Sequence, residues 1–127
     1  MRILIITSCT GQKRVDHQNA LTGMDFEQGS KHVAEREKEL SDYLTPAQAI
    51  YSGQQHVRLM RGIEAVSDRL DIELYIVSAG YGLVSGDQKI APYECTFTGR
   101  GKSDLVNWAS QLNIPNNFKS LVTKPYD

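Results

Sequence analysis

The sequence predicts an α/β fold: three layers, with a small, mostly parallel central sheet and flanking helices. Three observations carry this. Two short runs, residues 2–9 and 72–79, are rich in β-branched residues and apolar on both faces, as strands covered on both sides are. Between them lie charged and amphipathic segments with helical spacing. Strand, helices, strand is the βαβ order, which implies parallel pairing through a right-handed crossover.

The first strand, Arg2-Ile-Leu-Ile-Ile-Thr-Ser-Cys9, stops at Thr10-Gly11. Residues 11–30 show no clear period, carry glycines at 11, 23 and 29, and are expected to form a loop over the strand's C-terminal end. Residues 31–43, with Glu35, Glu37, Lys38 and Glu39 close together, predict a solvated helix. Thr45-Pro46 reads as an N-cap and first helical residue of a short turn through Tyr51. From about Gly53 to Leu70, the residues Val57, Met60, Ile63, Val66 and Leu70 recur every three or four positions and predict a buried helix face. Gly80-Tyr81-Gly82 ends the second strand. Ser103 is read as the cap of a helix over 104–112, with Leu105, Trp108 and Leu112 on one side. Ile114-Pro115-Asn116-Asn117 breaks it, and 118–123 is expected to begin a third strand or a short helix. Two or three strands make a meagre sheet, and Lys124-Pro125-Tyr126-Asp127 reads as a loop. The chain is therefore expected to continue or to need a partner, including another copy of itself.

The length, 127 residues, fits one domain over 1–127. With 14 Lys+Arg against 15 Asp+Glu, the net charge of −1 excludes nucleic-acid binding through bulk basicity, so any polyanion site must be a local cluster. No apolar run approaches the ~20 residues of a membrane span, and the N-terminus lacks a signal-peptide core. A cytoplasmic protein without a membrane partner is expected. Cys9 and Cys95 are too few for a disulfide framework and form no CxxC. His17, His32 and His56 lack metal-ligand spacing. Neither metal nor cofactor is expected.

In an open parallel sheet, ligands sit outside the C-terminal strand ends. Two segments fall there: Thr7-Ser8-Cys9-Thr10-Gly11-Gln12-Lys13 and Ser78-Ala79-Gly80-Tyr81-Gly82. Small residues let backbone N–H groups approach a ligand, and Lys13 is a candidate to neutralise phosphate. Such Ser, Thr and Gly are equally the residues of ordinary turns. Cys9 is a candidate nucleophile, against the commoner role of inert packing. A third constellation, Tyr51-Ser52-Gly53-Gln54-Gln55-His56, stands at the start of the long helix, where unpaired N–H groups favour anions. Gln55 and His56 are candidates to read a base edge, and Arg58 and Arg61 to meet phosphate. A fourth runs Asp87-Gln88-Lys89-Ile90-Ala91-Pro92-Tyr93-Glu94. There Tyr93 offers a face for stacking, and Asp87 and Glu94 are candidate acids.

Four pieces occur in order: Tyr51-Ser52-Gly53-x-Gln55, Val77-Ser78-Ala79-Gly80-Tyr81-Gly82-Leu83, Asp87-x-x-Ile90-x-Pro92-Tyr93 and Gly101-Lys102-x-Asp104-Leu105-x-x-Trp108. Together they resemble the YaaA peroxide-stress family. The Ser8-Cys9-Thr10-x-x-Lys13 start resembles a related group of small domains with an SCSxxK start and an LSAxxGL…PY core. The resemblance implies an α/β fold, a link to DNA, and protection from oxidative damage. The chain is much shorter than YaaA members and lacks the long region that precedes their Y-[ST]-G segment. The resulting expectation is recognition of nucleic acid or a nucleotide. Ser8, Thr10 and Lys13 would hold phosphate or sugar, Ser78, Tyr81 and Tyr93 would line a base pocket, and Tyr51, Ser52, Gln55, His56 and Arg58 would complete the site. The rival expectation is an enzyme acting on an N-glycosidic bond, with Asp87 or Glu94 as general acid/base. A third is a non-catalytic interaction domain.

Overall fold

The computed structural model describes residues 1–9, 11–97 and 99–127. In chain order the elements are β1 (Arg2–Ser8), β2 (Leu21–Thr22), α1 (Gly23–Glu27), α2 (Ser30–Glu39), β3 (Thr45–Pro46), α3 (Ala47–Ile50), α4 (Gln54–Val66), β4 (Asp71–Ser78), β5 (Gly82–Ser85), β6 (Lys89–Ile90), β7 (Tyr93–Glu94), α5 (Lys102–Gln111) and α6 (Ile114–Val122). The architecture is α/β, as the sequence implies. The central sheet has the order β1-β4-β5. β1 and β4 are parallel, in register from Arg2 opposite Asp71 to Ser8 opposite Val77.

Residues 118–123 take the helical one of their two expected forms, lying largely in α6, so the third strand is elsewhere. It is β5, which folds back antiparallel on β4 with Ser78 opposite Gly82 and Tyr75 opposite Ser85. The reversal uses Gly82, whose φ of +79° is one that side chains rarely adopt. A four-residue strand directly after a glycine turn leaves too short an alternation to be read as a period.

Residues 11–30 are also more ordered than a plain loop. Leu21 and Thr22 pair in parallel with Tyr93 and Glu94. Thr22 then starts α1, where the Asp25 carboxylate accepts from the Thr22 backbone N–H at 2.9 Å. This is a capping box with Asp at the position usually taken by Glu or Gln. A second small ladder joins β3 to β6.

Strand alternation divides the sheet into two faces. Leu74, Ile76 and Ser78 of β4 and Val84 of β5 are buried on one face, with Phe26, Ile50, Tyr51, Ile90, Tyr93 and Trp108 in the same core. Helix α4 contributes Leu59, Met60 and Ile63 to it. Its packed stripe is therefore 56, 59, 60 and 63, an i, i+3, i+4, i+7 set that begins at buried His56 rather than at Val57. The helix ends at Val66, so Leu70 lies outside it. On the opposite face, buried Leu121 of α6 shares a cleft with Tyr75 and Leu83. Among the described residues, no helix is long and apolar enough to cross a membrane.

Candidate functional site

At the C-terminal ends of β1 and β4 the chain gathers side chains from five segments. The first is the stretch after β1. The Cys9 N–H donates to the Val77 carbonyl at 3.0 Å, prolonging the parallel ladder by one step. Alternation then puts Cys9 on the Ser78 face, and Ser8 on the other, exposed. Lys13 is fixed by its backbone, which forms an antiparallel bridge with Tyr51. Its ammonium lies over the Tyr93 ring at 4.4 Å from the centroid and over the Tyr51 ring at 6.0 Å, the arrangement in which a cation is attracted by the aromatic face.

Beneath the ammonium lies a buried chain of hydroxyls. Ser78 Oγ accepts from the N–H groups of Gly80 (3.2 Å) and Tyr81 (3.0 Å) and donates to Tyr93 Oη at 2.8 Å. Tyr93 and Tyr51 share a hydrogen bond of 2.7 Å. Ser78, Tyr51 and Tyr93 are all within 1% of complete burial. Burial pushes the Tyr51 phenol up to about 12, with a hydrogen bond from Tyr93 opposing the rise. Burial, then the charge of Tyr51, pushes Tyr93 higher still. Both are neutral at physiological pH. The expectation of an open pocket lined by Ser78 and Tyr93 is corrected here: Tyr93 offers no free face, because Phe26 and Tyr81 meet it edge-on and Lys13 covers it.

Cys95 and Arg100 complete the edge. Cys95 Sγ donates to the Ala79 carbonyl at 3.4 Å, as Trp108 Nε1 does at 2.6 Å. Arg100 stacks over the Trp108 ring at 5.0 Å and donates to the Thr96 carbonyl. Burial raises the Cys95 thiol, against the nearby Arg100 charge. The Cys9 thiol lies within electrostatic range of Tyr51, Tyr93 and Cys95. None of the ion pairs among the described residues involves Lys13 or Arg100.

The remaining candidates are distributed elsewhere. Thr10 lies outside the described residues. Tyr81 sends its hydroxyl away from the chain of hydroxyls: it donates to Glu37 at 2.9 Å and accepts from the Ala91 N–H. That hydroxyl sits in a separate cleft of about 330 Å³ with Glu37, Gly80 and Gln88. Ser52 is half-buried, with its N–H on the Gln12 carbonyl. Gln55 and Arg58 are exposed on α4. His56 is not a polar surface reader: it is 3% exposed, stacks edge-on against Tyr51, and its Nε2 bonds the Gln48 carbonyl at 2.7 Å.

The two acids do not reach the strand ends. Asp87 follows β5, beside Gly86, whose N–H bonds the Leu74 carbonyl. Leu74 precedes Ser78 by four residues, about 13 Å at strand rise. Asp87 lines a shallow cleft with Gln48, Glu73 and Tyr75 instead. Glu94 alternates with inward-facing Tyr93 and is exposed. The acid/base roles given to them by sequence have no geometry at this edge. Sequence reasoning passed over Cys95, Glu37 and Phe26 as site residues. No local motif marks them, since each reaches its place only through tertiary packing.

A model described as a family of unknown function, DUF6884, matches residues 33–120. The chain belongs to this family. No curated protein and no solved structure matches it. The family match takes in Tyr51, Ser78, Tyr93, Cys95 and Arg100, whereas Cys9 and Lys13 come from the segment before it. The site is thus shared between the matched region and the first strand with its following turn.

Proposed function

We propose that this DUF6884 chain is a YaaA-like domain that recognises a nucleotide, free or at an accessible position in nucleic acid. The site is the edge formed by Lys13, Tyr51, Tyr93 and Arg100. The observation that supports this most is the pair of cations. Lys13 and Arg100 rest on aromatic faces at the C-terminal strand ends, outside the ion pairs found among the described residues. That combination suits a ligand with an anionic part and a flat part. The near-neutral chain offers no broad basic face, which favours a few phosphate contacts over extended backbone tracking. The N-glycosidic reading loses support, because Asp87 and Glu94 stand away from this edge.

The test titrates AMP and labelled single- and double-stranded oligonucleotides at low and moderate salt, with wild type, Lys13→Ala and Arg100→Ala. Binding that weakens roughly tenfold or more in either variant is expected, since a charge-assisted contact is worth about 1.5–3 kcal/mol. No binding at either salt, or binding indifferent to both substitutions, overturns the proposal.

A further inference from the structure

We propose that the cleft beside Tyr81 binds a small organic ammonium ion, with the Glu37 carboxylate as its counter-charge and apolar walls around its carbon body. This goes beyond the nucleotide reading and uses none of the residues of the Lys13–Arg100 edge.

Helix α2 turns Val33 into the core, and so does Leu40 just past its end. Glu37 stands four residues after Val33 and three before Leu40, on the same side. A leucine there would extend the apolar stripe. The carboxylate is instead half-buried and lines a cleft of about 330 Å³ with Val33, Phe26, Tyr81 and Leu112.

The hydrogen bonds at Glu37 have a fixed direction. The Ala91 N–H donates to Tyr81 Oη, and Tyr81 donates to Glu37 Oε2 at 2.9 Å, since a carboxylate only accepts. Burial pushes the Tyr81 phenol up, so it keeps its proton at neutral pH. One neutral hydroxyl thus orients the carboxylate without balancing its charge. The nearby side chains that could balance it are engaged elsewhere: His32 and Arg36 both bond Asp25, and Arg36 also bonds Glu39. Glu37 is outside the ion pairs found among the described residues. Its second oxygen, Oε1, is not one of the sealed, unpartnered polar atoms, so it is open to the cleft.

An ammonium group has three donors and no acceptor. Oε1 takes one. Gln88 and Gln111, exposed at the rim, offer amide carbonyls to the others. Phe26, Val33 and Leu112 give the carbon body apolar contact. In a half-desolvated cleft the charge pair is stronger than in water. The start of α2, which favours anions, is seven residues from Glu37. That is about 10 Å of helix rise, at the other end of the cleft.

The experiment titrates isotope-labelled wild-type protein with phenethylammonium chloride and follows the backbone amide signals by NMR. Phenethyl alcohol and phenylpropionate serve as the neutral and anionic counterparts. The expected result is a saturable shift at Glu37, Tyr81 and Leu112 with the ammonium ion, weaker by about tenfold or more with the alcohol and absent with phenylpropionate. Glu37→Gln, which keeps an acceptor for Tyr81, is expected to weaken the ammonium ion about tenfold and to leave the alcohol unchanged. No saturable shift in the wild type overturns the proposal without recourse to any variant. So do equal binding of the ammonium ion and the alcohol, shifts confined to the Lys13–Arg100 edge, or ammonium binding indifferent to Glu37→Gln.

Discussion

The two ends of the β1–β4 pair handle polar groups in opposite ways. At the end where the strands begin, charges are exposed and matched. Arg2 pairs with Glu73, Tyr126 donates to the same carboxylate, and Asp127 binds the Arg2 backbone. At the end where the strands stop, hydroxyls are buried and linked in a row, and Lys13 and Arg100 rest on aromatic rings, outside the ion pairs among the described residues. A matched exposed cluster needs nothing more. Burying Ser78, Tyr51 and Tyr93 carries a desolvation cost that packing alone does not require, since Phe and Ala would fill the same space. The difference supports the proposal that the second end is the one that meets a ligand.

That contrast can be broken at its most sensitive point first. Trp108 is 4% exposed, holds the Ala79 carbonyl and supports Arg100. Trp108→Ala is expected to cost about 3–5 kcal/mol in urea unfolding. A loss below ~1 kcal/mol would show that the C-terminal edge is not the rigid end of the sheet.

A middle-sized effect tests the segment that buttresses this edge. Desolvation raises the Asp25 carboxyl, but hydrogen bonds from His32, the Thr22 backbone and Arg36 outweigh it and hold the group down at about 2. Because the folded-state value is depressed, its stabilisation is complete above the unfolded value near 4 and is lost as pH falls through about 2. Wild type is expected to lose about 2 kcal/mol over that window from this group. Asp25→Asn should flatten that part of the stability profile. An unchanged slope in the variant would remove Asp25 as the acid-sensitive group.

The smallest effect belongs to the opposite end. Glu73→Gln at the exposed Arg2 pair should leave the melting temperature unchanged within measurement error, because solvated ion pairs contribute little. A substantial drop would mean that the matched end is also a structural anchor, and the contrast between the ends would lose its force.

The parallel β1–β4 core and the long helix were legible because each rests on a local pattern. A β-branched run, an apolar stripe or a glycine turn can be read within a dozen residues. The missed features share a different origin. The strand β5 is four residues long. His56 looks polar but completes the stripe with Leu59, Met60 and Ile63. Asp87 is only six residues from Tyr81 in sequence, yet the hairpin through Gly82 carries it back along β4. Tyr93 was expected to stack on a ligand, and only tertiary packing shows its faces already taken. Alternation along β1 separates Ser8 from Cys9, a one-residue distinction that depends on knowing which face is buried.

The ladders and the hydroxyl row differ in how much chain they close. β1 meets β4, and β2 meets β7, across about seventy residues, and closing such loops costs entropy before any contact repays it. Tyr51 and Tyr93 are only 42 residues apart and Ser78 and Tyr93 only 15. The hydroxyl row therefore closes smaller loops than the ladders on either side of it, and its assembly does not depend on the first two strands.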